Sequence, residues 1–286
     1  MGMSIVRRLW LAGMTVMLGA LVSATLVRYA PGFGTDERQL DARLSSESLA
    51  AIRSAAAGER SIVPYYFNYF RHAIHGDLGI SRSLNRPVRD VLAERIGVTA
   101  RLASKAMLVA WVMAVLLVFA TWLSRLRALN VAAMVCGGGL LCLPAGALAL
   151  LSVILEAPGW LALALILFPK VHRYLGNLVA ATGSMQHVLA ARAKGIPATQ
   201  ILFRHIVPVI RREVLALAGV SVGLAVSAAI PVEALCGIPG IGQLAWQSAL
   251  ARDLPLLINL CILIVASVTL ANSGSDLLSG ERRPAP

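Results

Sequence analysis

Residues 98–123 form one apolar run whose only charges, Arg101 and Lys105, stand near its start. Comparable runs recur at 9–29, 129–155, 159–179, 214–235 and 255–272. A helix needs roughly 20 apolar residues to cross the hydrocarbon core of a bilayer. Inside lipid, every backbone N–H and C=O must find its partner within the protein, which leaves helices or a closed barrel. Alternating strand patterns are absent, so the barrel is excluded. The expected fold is therefore all-α and polytopic, with about six transmembrane helices. Composition agrees: 58% of residues are hydrophobic and only 14% charged, against the quarter usual in soluble domains. Ala and Gly dominate over aromatic residues, which suits helices packed closely through small side chains.

The formal charge of +12 comes from 23 Arg and 3 Lys against 14 acids. Its placement decides its meaning. Arg7 and Arg8, Arg125 and Arg127, then Arg192, Lys194, Arg204, Arg211 and Arg212, and finally Arg282 and Arg283 fall at alternate ends of the apolar runs. The short opposite-side connectors carry only Glu156 and the Arg252–Asp253 pair. This is the positive-inside bias, and it predicts both termini in the cytoplasm. Nucleic acid is excluded as a partner, because no basic surface remains once the connectors are assigned. Membrane lipid is the expected surrounding.

The chain divides into an N-terminal anchor span (1–30), an extracytoplasmic insertion (31–97), a transmembrane core (98–272) and a cytoplasmic tail (273–286). The first run is too long for a cleaved signal peptide and lacks a small-residue cleavage site, so it reads as a retained anchor. The insertion is nearly neutral, with helical spacing over 40–57 and 64–74. Its His72 and His75 share a helical face but have no third ligand, so no metal is expected. For the fourth run, Pro169, Lys170 and Arg173 leave an earlier exit open, with a helix continuing beyond. Arg101 and Lys105, one turn apart, either snorkel to the interface or face a polar pathway. Cys136, Cys142, Cys236 and Cys261 have no metal-ligand spacing and read as small hydrophobes.

Catalytic motifs fail on context. Gly219-Val-Ser-Val-Gly223 matches a hydrolase elbow, but it lies in an apolar run and no histidine follows His205. The same residues spell G-x-x-x-G, a close-packing pattern in lipid. None of the three lysines follows a glycine, so the chain has no phosphate-cradling P-loop. No catalytic residue and no cofactor is expected.

The informative interruption is 189–208, LAARAKGIPATQILFRHIVP. Ala190 to Lys194 favours helix, Gly195 suits a helix end, and Pro197 suits a helix start. Apolar spacing resumes from Ile201 to Ile206. Two short helices at an angle are expected, each too short to stand without packing on something. That something is either the protein's own bundle or a soluble partner.

Ala191-Arg192-Ala193-Lys194-Gly195, with His205 ten residues on, resembles the EAA coupling loop of ABC-importer permeases. More narrowly, the chain resembles the first permease subunit of the dipeptide/oligopeptide/nickel family. Gly76-Asp-Leu-Gly79 with Ser81, then Arg86-Pro-Val88, is similar to that family's segment before span two. Glu233, Pro239-Gly240-Ile-Gly242 and Arg252-Asp253-Leu-Pro255 are similar to its signature between the last spans. The likeness covers nearly the whole chain in order. It departs at Ala190 and His187, where the family has threonine and tyrosine, and at Ser279-Gly-Glu-Arg-Arg283 near the end.

The resemblance implies a cytoplasmic coupling helix within 184–212 on which ATPase subunits dock. It implies a second permease subunit and an extracytoplasmic substrate-binding protein as further partners. Glu233, Pro239, Gly240, Gly242 and Asp253 would belong to the translocation path or its outer gate. The cargo would be peptides or a related small solute such as a nickel chelate. A bacterial inner-membrane location follows. The rival readings are a secondary transporter or channel, which calls for internal repeats and mid-span charges, and a non-transporting membrane scaffold.

Overall fold

The computed structural model describes residues 76–124 and 127–279, with helical positions 7, 10, 11, 13–19, 21, 22 and 25 near the N-terminus. The expectations for 31–75, including the His72–His75 pair, lie outside the described residues. Among the described residues there is no strand, only one isolated bridge between Ile80 and Pro87. The described residues fall into two compact units: positions 7, 10 and 11 with 95–244 and 266–279, and those among 13–25 with 76–94 and 245–265.

Helix α1, Val88–Ser124, opens after Pro87 with Asp90 in its first turn, where an acid favours the positive helix end. It begins ten residues ahead of the apolar run, because Val88, Val91 and Leu92 already form a buried stripe. Arg101 and Lys105 are exposed, and Arg101 donates to the Gly97 carbonyl of its own helix. Further along, Leu102, Ala106, Ala110, Ala114 and Val118 recur every fourth residue and are buried. Those alanines let neighbouring backbones come close.

The third apolar run is not one straight span. It is α2, Arg127–Cys142, and α3, Ala145–Ile154, with a bend of 97° between them. Pro144 stands at the break; it has no N–H to carry the helix ladder across. Helix α4, Gly159–Gly183, continues through Pro169 and is the centre of the first unit, with α2, α3 and α6 packed on it. Its Lys170, His172 and Arg173 lower its apolar character.

Helix α5, Gln186–Ala193, is short. Helix α6 runs over Ala198–Leu235, α7 over Ile241–Leu250 and α8 over Leu254–Ser279. The expected second short helix is thus the start of α6. A wide π turn, Leu202–Ile206, joins it to Val207–Leu235. Pro208 lies two residues past the end of this turn; it cannot donate a helix bond, and the looser spacing accommodates its ring. Among the described residues, α1, α6 and Leu254–Ser275 are long and apolar enough to cross a membrane, and the bent α2–α3 pair adds a fourth candidate.

The G-x-x-x-G pattern in α6 does serve packing. A Cβ on Gly219 would stand 2.8 Å from the Ser275 Cβ of α8, and one on Gly223 would stand 3.4 Å from Asn272 Oδ1. Ser221 is buried and donates to the Leu217 carbonyl of its own helix.

Candidate functional site

The loop around α5 is built on one tryptophan. Gly183, the last residue of α4, lies so near the Trp122 ring that a Cβ there would fall 2.8 Å from Cη2. The Arg192 guanidinium sits over the same ring, 4.9 Å from its centroid. The indole Nε1 donates to the Ala198 carbonyl at 3.4 Å. Thus the end of α1 touches the end of α4, the end of α5 and the start of α6. Next to it, Phe119 and Phe203 meet edge to face. Sequence reasoning missed Trp122; the available signal was an aromatic residue at the end of a span, where Trp is enriched.

The turn after α5 closes as a Schellman motif. The Ile196 N–H reaches the Ala191 carbonyl at 3.3 Å and the Gly195 N–H reaches Arg192 at 3.0 Å. Gly195 takes φ +75°, the left-handed conformation that a Cβ disfavours. Val188 and Ala191 face the core, with Ile201, Leu202, Ile206 and Ile210. Ala193, Lys194 and Gly195 are exposed, beside Met185 and Leu189. His205 is half-buried, its ring 6.5 Å from that of His187. Of the expected coupling residues, then, Ala191 packs inward and Arg192 is engaged with Trp122, while Ala193 and Lys194 face outward.

At the other end of α6, Glu233 is fully buried. Its Oε2 accepts the Gly242 N–H at 2.6 Å, while Oε1 has no partner among the described residues. The Ile238 N–H returns to the Glu233 carbonyl at 3.0 Å, and the Ile241 N–H donates to Thr99 Oγ1 at 2.8 Å. Two glycines make the space. A Cβ on Gly240 would overlap the Glu233 carboxylate, and one on Gly242 would fall 2.5 Å from the Ile230 Cα. Pro239 is exposed at the tip of this loop. The structure therefore joins Glu233, Gly240 and Gly242 into one buried carboxylate clasp.

Asp253 belongs to the second unit and has different partners. Its Oδ2 accepts the Ser81 hydroxyl at 2.6 Å, the Ser83 hydroxyl at 2.7 Å and the Ser83 N–H at 2.9 Å. Its Oδ1 receives the Leu256 N–H at 3.3 Å, across the first turn of α8. Burial pushes this carboxyl up, but these donors together outweigh it and hold Asp253 below the ordinary carboxylate range. Nearby, the Asn259 amide donates to the Leu78 carbonyl at 3.0 Å. Among the described residues, no three His, Cys, Asp or Glu side chains converge as a metal group.

Long apolar helices, a proline-broken pair and a short helix wedged between two of them define a polytopic all-α membrane protein. The chain belongs to the family of binding-protein-dependent transport system inner membrane components, whose model matches residues 106–280. It is similar to the oligopeptide transport system permease protein OppB of Salmonella typhimurium, 31% identical over 284 residues and 92% of each chain. It is also similar to a putative peptide permease protein of Brucella suis, 26% identical over 295 residues, covering 93% of this chain and 92% of the relative. A third relative is the glutathione transport system permease protein GsiC of Escherichia coli, 26% identical over 261 residues and 84% of each chain.

Proposed function

We propose that this chain is one membrane subunit of an ATP-driven peptide importer of the bacterial inner membrane, coupling hydrolysis by separate ATPase subunits to passage of the solute. The observation that carries the reading is the Schellman turn at Gly195, which fixes α5 against the start of α6. A push on the exposed Met185, Leu189 and Lys194 would pass directly into a helix long enough to span the membrane. The peptide and glutathione permeases among its relatives support the cargo class.

In this reading the ATPases dock over 184–212, on the cytoplasmic side with both termini. A second permease subunit completes the path, and an extracytoplasmic binding protein delivers peptide. The Glu233 clasp with Pro239, Gly240 and Gly242, and separately the Asp253 joint, stiffen the outer gate. ATP-driven closure rocks the spans between inward-facing and outward-facing states. This chain supplies no phosphate site of its own.

Gly195→Pro and Gly195→Glu test the lever. Proline cannot adopt φ +75° and removes the N–H that bonds Arg192; glutamate adopts it at a cost of roughly 1–2 kcal/mol. Peptide uptake should fall relative to ATP hydrolysis, with membrane insertion unchanged. Full uptake and full ATPase retention in both variants would reduce the loop to a connector.

A further inference from the structure

A recess of about 490 Å³ opens between α1, α2 and α4. Three stripes at helical spacing line it: Val118 with Thr121 and Trp122; Ala133, Gly137 and Leu141; and Pro169, Arg173, Gly176 and Asn177. The glycines create much of the room. A Cβ added to Gly176 or to the lining Gly138 would meet nothing within 4 Å. The walls are mainly apolar, yet Arg173, Asn177 and Thr121 contribute a cation and hydrogen-bonding groups. Arg173 lies fourteen residues into α4, roughly 20 Å along its axis from Gly159, toward the end that carries α5. Trp122, two residues before the end of α1, is both a wall of the recess and the support of α5.

A mainly apolar recess with an arginine in its wall suits a molecule that joins an acyl chain to an anionic group. We propose that the recess binds an anionic phospholipid of the cytoplasmic leaflet. Its phosphate lies on Arg173, and an acyl chain follows the glycine wall of α2 and α4. Arginine matches phosphate with paired donors, and basic pockets between membrane helices take anionic headgroups. A second protein helix is disfavoured, since the site is a recess between three helices rather than an open stripe. The seated lipid braces Trp122, and through it the contacts of Gly183, Arg192 and Ala198 that place α5. The leaflet and the coupling role rest on the importer reading; lipid binding itself does not.

The test counts lipid first. The chain alone is purified in detergent, supplied with phosphatidylglycerol or phosphatidylcholine, and weighed by native mass spectrometry. One phosphatidylglycerol should remain bound to the wild type. Arg173→Gln and Gly138→Leu should each lose it. Gly139→Leu, a neighbour outside the recess, should keep it. The assembled importer is then placed in nanodiscs of either lipid. Phosphatidylglycerol should raise its ATP turnover by about fivefold, an effect abolished by the same two variants. Unchanged phosphatidylglycerol retention in both variants overturns the site, as does equal retention of phosphatidylcholine by the wild type. Reduced peptide binding by Gly138→Leu with lipid retention intact would instead assign the recess to the solute path, and overturns the proposal. If no ATPase subunits assemble with the wild type, the importer reading fails, while the lipid count still decides the site.

Discussion

The Ser81 hydroxyl donates to Asp253 Oδ2 across 2.6 Å, although 172 residues separate the two in sequence. Ser83 adds its hydroxyl and its N–H to the same oxygen. One buried carboxylate thereby ties the segment before α1 to the first turn of α8.

Asp253→Asn should loosen this joint. The amide offers one acceptor oxygen in place of a charged carboxylate, so at least one buried donor loses its partner. A loss of about 1–3 kcal/mol is expected, with Ser81→Ala at the lower end. Thermal unfolding of the purified chain measures it; an unchanged midpoint for Asp253→Asn would show the joint to be idle.

The same joint has a pH sign. Because the folded value of Asp253 is depressed, its stabilisation is complete above the unfolded value of about 3.9 and is lost as pH falls through the lowered folded value. Acidification from about pH 5 downward should therefore narrow the stability gap between wild type and Asp253→Asn. Unfolding midpoints across that series provide the check. A gap that widens on acidification contradicts the sign.

Gly240→Ala should destabilise by about 1–3 kcal/mol, since the new methyl overlaps the buried Glu233 carboxylate. In a Glu233→Ala background the obstruction is gone, so the same substitution should cost less. A double-mutant cycle on unfolding free energies reads the coupling. Strict additivity would mean that the two residues do not share the space. Gly242→Ala offers no such rescue, because its obstruction is the backbone of Ile230.

Trp122→Ala should release three supports of α5 at once: the ring against Gly183, the face under Arg192 and the bond to Ala198. Buried Trp truncations cost about 3–5 kcal/mol, and this half-buried ring should cost less. Hydrogen exchange should speed over 186–196, with the middle of α6 unchanged. Unaltered exchange in α5 would place its support elsewhere.

Much of this was legible in the sequence. Apolar runs of bilayer length dictate helices, because lipid offers the backbone no other partner. Gly195 at a helix end announces its left-handed turn, and G-x-x-x-G announces the close approach of α6 to another helix. These are local signals, written in residue type and spacing. The bend at Pro144 was equally local, yet it was hidden inside a run of otherwise unbroken hydropathy. The clasp and the joint were visible only as motifs in order: nothing in spacing shows that Glu233 closes on Gly240 and Gly242, or that Asp253 takes Ser81 and Ser83. Trp122 illustrates the limit best. Its meaning lies in four helix ends meeting at one ring. Helical periodicity tells which face of a segment is buried, and only the packed bundle decides which residues, far apart along the chain, it is buried against.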